Sequence, residues 1–168
     1  MKEKILVLTC WGTIDKDYWS WKGVYDFHIW APCVWSILDD LKIPKPLYEC
    51  EELMRKDSLD MELLDREKIY RAVFSSQVEK ILITHGTDTM IQTAQELQYI
   101  TDKLIVIAGA SRPYSMKVTD AAENIGFAWT ELMTSTKKWV YIAMNQKFIP
   151  AHLAEKQDNG DFINILLD

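Results

Sequence analysis

A chain of 168 residues that is 48% hydrophobic has enough apolar side chain for one packed domain, expected to span residues 1–168. Its net charge of −6, with no basic cluster to offset it, argues against nucleic acid or an anionic membrane as a partner. The three cysteines, Cys10, Cys33 and Cys50, have neither zinc spacing nor the even count of a disulfide framework. They read as reduced thiols. No run nears ~18 apolar residues, and Lys2-Glu3-Lys4 leads straight into a strand, so neither a membrane span nor a signal peptide is expected. The chain reads as cytoplasmic.

Ile5 to Leu8 is the first buried strand, and Trp11-Gly12-Thr13-Ile14-Asp15 follows its carboxyl end. Lys16 to Ala31 has no helical or alternating pattern but holds Tyr18, Trp19, Trp21, Tyr25, Phe27 and Trp30, a candidate pocket wall. Pro32 suits a first helical turn, with Val34, Ile37, Leu38 and Leu41 as its apolar stripe. Leu47 to Cys50 is a candidate strand. Glu51 to Asp60 is a polar loop, and Ser58 or Asp60 is expected to cap a helix running to about Ser75. Ile81-Leu82-Ile83 is the central strand. It breaks at His85-Gly86 and is followed by Thr87, Asp88 and Thr89, each a possible cap for a helix with Met90, Ala94 and Leu97 inward. Leu104 to Ala108 is another buried strand, and a helix from about Thr119 buries Ala121, Ile125, Ala128 and Leu132. Trp139 to Met144 is a strand, and Asn145 to Pro150 reads as a turn with a short extension. A short helix and a final apolar stretch, Phe162 to Leu167, complete the chain.

Strands alternating with helices predict an α/β fold: a doubly wound, mostly parallel, flavodoxin-like sheet of about five strands. Neither G-x-G-x-x-G nor a P-loop occurs, so nucleotide binding has no motif behind it. In such a sheet all strand carboxyl ends share one rim. Thr13, then Ser58 and Asp60, then Thr87, Asp88 and Thr89, then Ser111, Lys117 and Asp120 therefore converge on it. A threonine hydroxyl with a lysine or a relayed aspartate as base, and backbone N–H groups near Gly12 and Gly86 for an oxyanion, fits acyl transfer without metal or organic cofactor. His85, closing a strand, reads as a hydrogen-bonded structural residue rather than a general base. No His, Cys or carboxylate spacing suggests a metal.

These residues carry a family resemblance. Trp11-Gly12-Thr13-Ile14-Asp15 resembles the T-G-G-T-I-D element of the L-asparaginases, and His85 to Met90 is identical to their H-G-T-D-T-M element. Asp57-Ser58-Leu59-Asp60-Met61 is similar to their D-S-x-D-M loop. Gly109 to Pro113, Asp120 with Asn124, and Ala143-Met144-Asn145 resemble further elements. The match is to the N-terminal domain of the two-domain enzymes, which implies a short, single-domain type. The resemblance implies hydrolysis of the side-chain amide of asparagine, or of glutamine, to the acid and ammonia. Thr13 would be the nucleophile, Thr87 would activate the attacking group or water, and Asp88 would hold the substrate amino group. Ser58, with Gly12 and Gly86, would bind the substrate. Tyr25 would be the loop tyrosine, or Phe27 if the alignment shifts by two residues. The family's catalytic lysine aligns near Met133, leaving Lys117 as the candidate replacement.

Two departures stand out. Trp11 occupies a family glycine position beside the nucleophile, and Trp30 replaces another glycine. They leave two alternatives: a binding or sensing protein on the same fold, or an amidase for a more apolar amide with the aromatic stretch as its wall. A homodimer or higher homo-oligomer is expected, because in the two-domain enzymes a neighbouring subunit completes the pocket.

Overall fold

The computed structural model describes residues 4–19, 24–26 and 31–167. Strand β1 (Ile5–Thr9) opens the chain, and β2 (Asp17–Trp19) pairs antiparallel with β3 (Val24–Asp26). There follow α1 (Cys33–Asp40), β4 (Tyr48–Glu52), α2 (Leu63–Ser75), β5 (Lys80–Thr84) and α3 (Met90–Leu97). Then come β6 (Leu104–Ala108), α4 (Ala121–Thr134), β7 (Trp139–Met144), β8 (Lys147–Pro150), and a hairpin of β9 (Ala154–Lys156) and β10 (Phe162–Asn164).

One six-stranded sheet runs in the order β4-β1-β5-β6-β7-β8. The first five strands are parallel, and β8 returns antiparallel at the edge. Counted among themselves, the parallel strands run 2-1-3-4-5, the doubly wound order of flavodoxin. The chain leaves β1 toward β4 on one side and comes back to β5 on the other. The winding therefore reverses between β1 and β5, and a crevice opens above their carboxyl ends.

Alternation along the strands fills both faces. Ile81, Ile83, Ile105 and Ile107 pack with Ile69 and Val73 of α2 and Met90, Ala94 and Leu97 of α3. Leu82 and Val106 point the other way, to Val34, Ile37 and Leu38 of α1 and Ile125, Ala128 and Leu132 of α4. Met90 and Leu97 are fully buried. Each contributes about 1.5–3 kcal/mol, enough to hold an eight-residue helix too short to persist alone.

Three local expectations are corrected. The sheet has six strands, because Asn145 (φ 53°) and Gln146 (φ 57°) form a tight turn that reverses the chain into β8. The α2 helix is capped by neither Ser58 nor Asp60. It starts at Leu63, and the Glu62 N–H donates to the Asp65 carboxylate at 2.8 Å. Past Pro150 only a single 3₁₀ turn, Ala151–Leu153, precedes the β9–β10 hairpin. The hairpin's turn is made by Asn159, whose side chain accepts from the Asp161 N–H at 2.9 Å, and by Gly160 at φ 90°. Within the aromatic stretch, β2 and β3 are three residues each, too short to show a period. Among the described residues no helix is long and apolar enough to cross a membrane.

Candidate active site

The crevice above β1 and β5 is where this topology gathers polar groups. The segment after β1 runs backbone to backbone against the segment after β5. A Cβ on Gly12 would stand 2.5 Å from the Gly86 nitrogen and 2.9 Å from the His85 carbonyl carbon. A Cβ on Gly86 would stand 2.5 Å from Ser58 Oγ. Only glycine allows the segments after β1, β4 and β5 to approach this closely.

Trp11 precedes this contact at φ 62°, the left-handed step that a glycine would take without strain. Its indole is fully buried, with the Arg55 guanidinium 3.9 Å from the ring centre. Beyond this turn, Thr13 reaches the rim.

Thr13, Thr87, Asp88, Ser111 and Lys156 line a cavity of about 380 Å³ there, with the β9–β10 turn as its far wall. That volume suits a small polar molecule. Lys156, on β9, donates to Thr87 Oγ1 at 3.1 Å and to Asp88 Oδ1 at 2.6 Å. None of the three residues expected as caps bonds its side chain to the start of α3. Thr89 Oγ1 donates instead to the Ser58 carbonyl at 2.8 Å. The helix forgoes about 1 kcal/mol of capping, and the side chains are committed to the cavity and its support.

Ser58 lies directly behind this wall. It is 1% exposed, and its Oγ has no hydrogen-bond partner among the described residues. Its loop is tied to the Thr13 turn by an ion pair between Lys16 and Asp57. Burial works to raise the Asp57 carboxyl, but the Lys16 ammonium and the Leu59 N–H outweigh it and hold the group below its usual range.

Lys156 carried no signal in the sequence, yet it lines the cavity, and the two positions the resemblance pointed to do not. Lys117 is exposed on the loop after β6 and does not line the cavity. Met133 sits in the last turn of α4, at the opposite edge of the sheet from the strand carboxyl ends. Asp60 is exposed and also off the wall. Asp120 accepts the N–H groups of Ser111 and Arg112 at 2.9 and 3.0 Å, so it shapes the loop. Tyr25 stands on β3, of which only the backbone is described; Phe27 and Trp30 lie outside the described residues.

His85 is fully buried, and burial drives its pKa down to about 4. Its Nδ1 meets the Gly86 carbonyl at 2.8 Å, so Nδ1 carries the proton, and Nε2 accepts from Thr93 Oγ1 at 2.8 Å. Both ring nitrogens are used in bracing the turn. Burial also raises the thiols of Cys33 and Cys50, to about 12 and about 11, so neither is a ready nucleophile. Among the described residues no group of three His, Cys, Asp or Glu is placed to hold a metal ion.

Asp15 anchors the Thr13 turn to the start of α1 by accepting the Cys33 N–H at 2.8 Å. Burial pushes its carboxyl up to about 7. A carboxyl raised in the folded state adds stability below its unfolded value near 4 and loses that contribution as pH rises through 7. Asp15→Asn keeps an oxygen for the Cys33 N–H. The variant is expected to gain on wild type in urea midpoint between pH 4 and pH 7, with no further gain above it. A midpoint difference independent of pH would show that the folded Asp15 carboxyl titrates as it does in the unfolded chain.

Fold and site together define a class: a doubly wound α/β protein with a small polar cavity at its switch point. Within that class, the family model described as Asparaginase, N-terminal matches residues 4–163, and the chain belongs to that family. It is 35% identical over 89 residues to the glutaminase-asparaginase of Pseudomonas aeruginosa, covering 51% of this chain and 25% of that protein. It is 34% identical over 106 residues to the glutaminase-asparaginase of Acinetobacter glutaminasificans, covering 60% of this chain and 32% of that one. Among solved structures it resembles the thermostable L-asparaginase from Thermococcus kodakarensis, with a TM-score of 0.79 and 25% identity. A probable cytoplasmic L-asparaginase from Campylobacter jejuni has the same fold, with a TM-score of 0.81 and 24% identity. These matches cover 96% and 97% of this chain but only 51% and 53% of the solved chains, so the chain spans about half their length.

Proposed function

We propose that this chain hydrolyses the side-chain amide of L-asparagine, with L-glutamine as a second substrate, to the acid and ammonia. One observation carries the reading: a single lysine, Lys156, holds Thr87 and Asp88 together on the wall that Thr13 also lines. Thr13 Oγ1 attacks the amide carbon, and the amide nitrogen leaves as ammonia once protonated. Water then attacks the Thr13 ester, releasing the acid and restoring the hydroxyl. The Thr87–Lys156 pair moves the protons. The proton that Thr13 loses passes through that pair to the departing nitrogen, and the proton that water loses returns through it to Thr13, so Lys156 ends each half-reaction as it began. Asp88 also receives the substrate amino group, and the N–H groups near Gly12 and Gly86 meet the oxyanion, while Ser58, buried behind that wall, holds Thr89 through its carbonyl.

The experiment is ammonia release from a panel of amides at neutral pH. Release from asparagine or glutamine, with aspartate or glutamate as co-product, is the expected result. Release only from apolar amides would redirect the substrate. A rise in Tm with asparagine or aspartate and no turnover from any amide would overturn hydrolysis in favour of binding. A homo-oligomer is part of the proposal. Leu59, Leu63 and Leu64, all more than 70% exposed beside the site, support it, and molar mass in solution tests it.

A further inference from the structure

Two sequence elements take no part in the proposed chemistry, Asp120 with Asn124 and Ala143-Met144-Asn145. The structure links them in one line of hydrogen bonds. Asp120 accepts the Ser111 and Arg112 N–H groups on one wall of the cavity. Asn124 Nδ2 donates to that same carboxylate at 2.9 Å and to the Gly109 carbonyl at 3.0 Å. Asn124 Oδ1 accepts the Asn145 N–H at 3.2 Å, and Asn145 Oδ1 accepts the Phe162 N–H at 3.0 Å. Phe162, fully buried, is the residue paired with Lys156 across the β9–β10 hairpin. The line thus starts at Ser111 and ends at the strand partner of Lys156, two residues that line the same cavity.

We infer that Asn145 is a positioning residue for Lys156, with Asn124 as its support. The hairpin needs such a brace. Its strands are three residues each, and a two-stranded ribbon of that length is not stable alone. The Lys156 stem is long and rotamer-rich, so its ammonium reaches both Thr87 and Asp88 only if its backbone is fixed. Phe162 fixes the hairpin in depth by burial, and Asn145 fixes it in register through a main-chain N–H. Asn145 is suited to this because it occupies a positive-φ turn position, which asparagine tolerates, while its side chain remains free to accept. This inference rests on the proposed role of Lys156.

Asn145→Gly keeps the turn and removes the acceptor; Asn145→Asp keeps both. In the ammonia assay, Asn145→Gly is expected to lose at least tenfold in kcat with KM changed less than threefold, and Asn145→Asp to stay within about twofold of wild type. A merely structural turn residue would move Tm without this split. Asn145→Gly at the wild-type rate, while Lys156→Met is inactive, overturns the inference and leaves the proposed function standing. So does Asn145→Asp falling as far as Asn145→Gly. If wild type releases no ammonia from any amide, the proposed function fails, and exchange of the Phe162 amide decides the brace. At least tenfold faster exchange in Asn145→Gly, restored in Asn145→Asp, supports it, and unchanged exchange overturns it.

Discussion

Lys156→Met is expected to lower kcat for asparagine by about a thousandfold while leaving KM unchanged or lower. The size follows from the role. A positioned acid–base group contributes roughly 10²–10⁴ in rate, and a thousandfold is about 4 kcal/mol of barrier. The KM expectation follows from the partner. Without the ammonium 2.6 Å away, Asp88 keeps a carboxylate that binds a substrate amino group at least as well as before. Stability should barely move, because both side chains are partly exposed, at 25% and 45%, and such a pair contributes about 0–1 kcal/mol. Thr87→Ala should lose a comparable factor, and the double variant should lose little more, since the two act as one unit. Lys117→Met should stay within twofold of wild type. A kinetic series over both lysines decides the assignment. Loss at Lys117 with retention at Lys156 would mean that the ammonium beside Thr87 is a structural ion pair.

The difference between those two lysines shows where the sequence stopped being informative. Thr13, Thr87 and Asp88 follow the carboxyl ends of β1 and β5, and topology alone sends parallel strands to one rim. Their meeting was therefore legible in the residue pattern; Ser58, expected beside them, lies buried behind the wall and not on it. The close passage of Gly12 against Gly86 was visible only as two glycines; that neither tolerates a Cβ is a fact of three-dimensional contact. Lys156 follows no parallel strand. It comes 68 residues after Asp88, on a three-residue ribbon past an antiparallel edge strand, where no period or motif marks it. The same blind spot hid β8. The Asn145–Gln146 turn was recognisable, but the four residues after it carry too little alternation to announce a sixth strand. The expectation of caps at the start of α3 failed for an opposite reason. Local chemistry favoured them, and the tertiary structure claimed the same side chains for the cavity.

Trp11→Gly tests whether the residue beside Thr13 is damage to the turn or part of the core. Glycine would relieve the φ of 62°, recovering about 1–2 kcal/mol. It would also leave the unfolded chain freer, returning about 0.5–1 kcal/mol of that gain. Against this stands an indole with no solvent exposure, stacked under Arg55. Removing a buried tryptophan costs about 3–5 kcal/mol. Burial wins, and the variant is expected to be less stable by about 2–4 kcal/mol, a fall in Tm of roughly 5–15 °C for a domain of this size. The loss is not expected to reach the chemistry in proportion. Arg55 belongs to the segment after β4, whose Leu53 N–H bonds the Thr9 carbonyl at 2.9 Å, so the indole supports that segment from below. Thr13 is held separately, by the Gly12–Gly86 contact and by Asp15 on the Cys33 N–H. Well below its melting temperature, Trp11→Gly should therefore keep kcat within about threefold of wild type. A variant as stable as wild type but several-fold faster would reverse the conclusion, making the tryptophan a brake on the nucleophile's turn rather than a packed member of the fold.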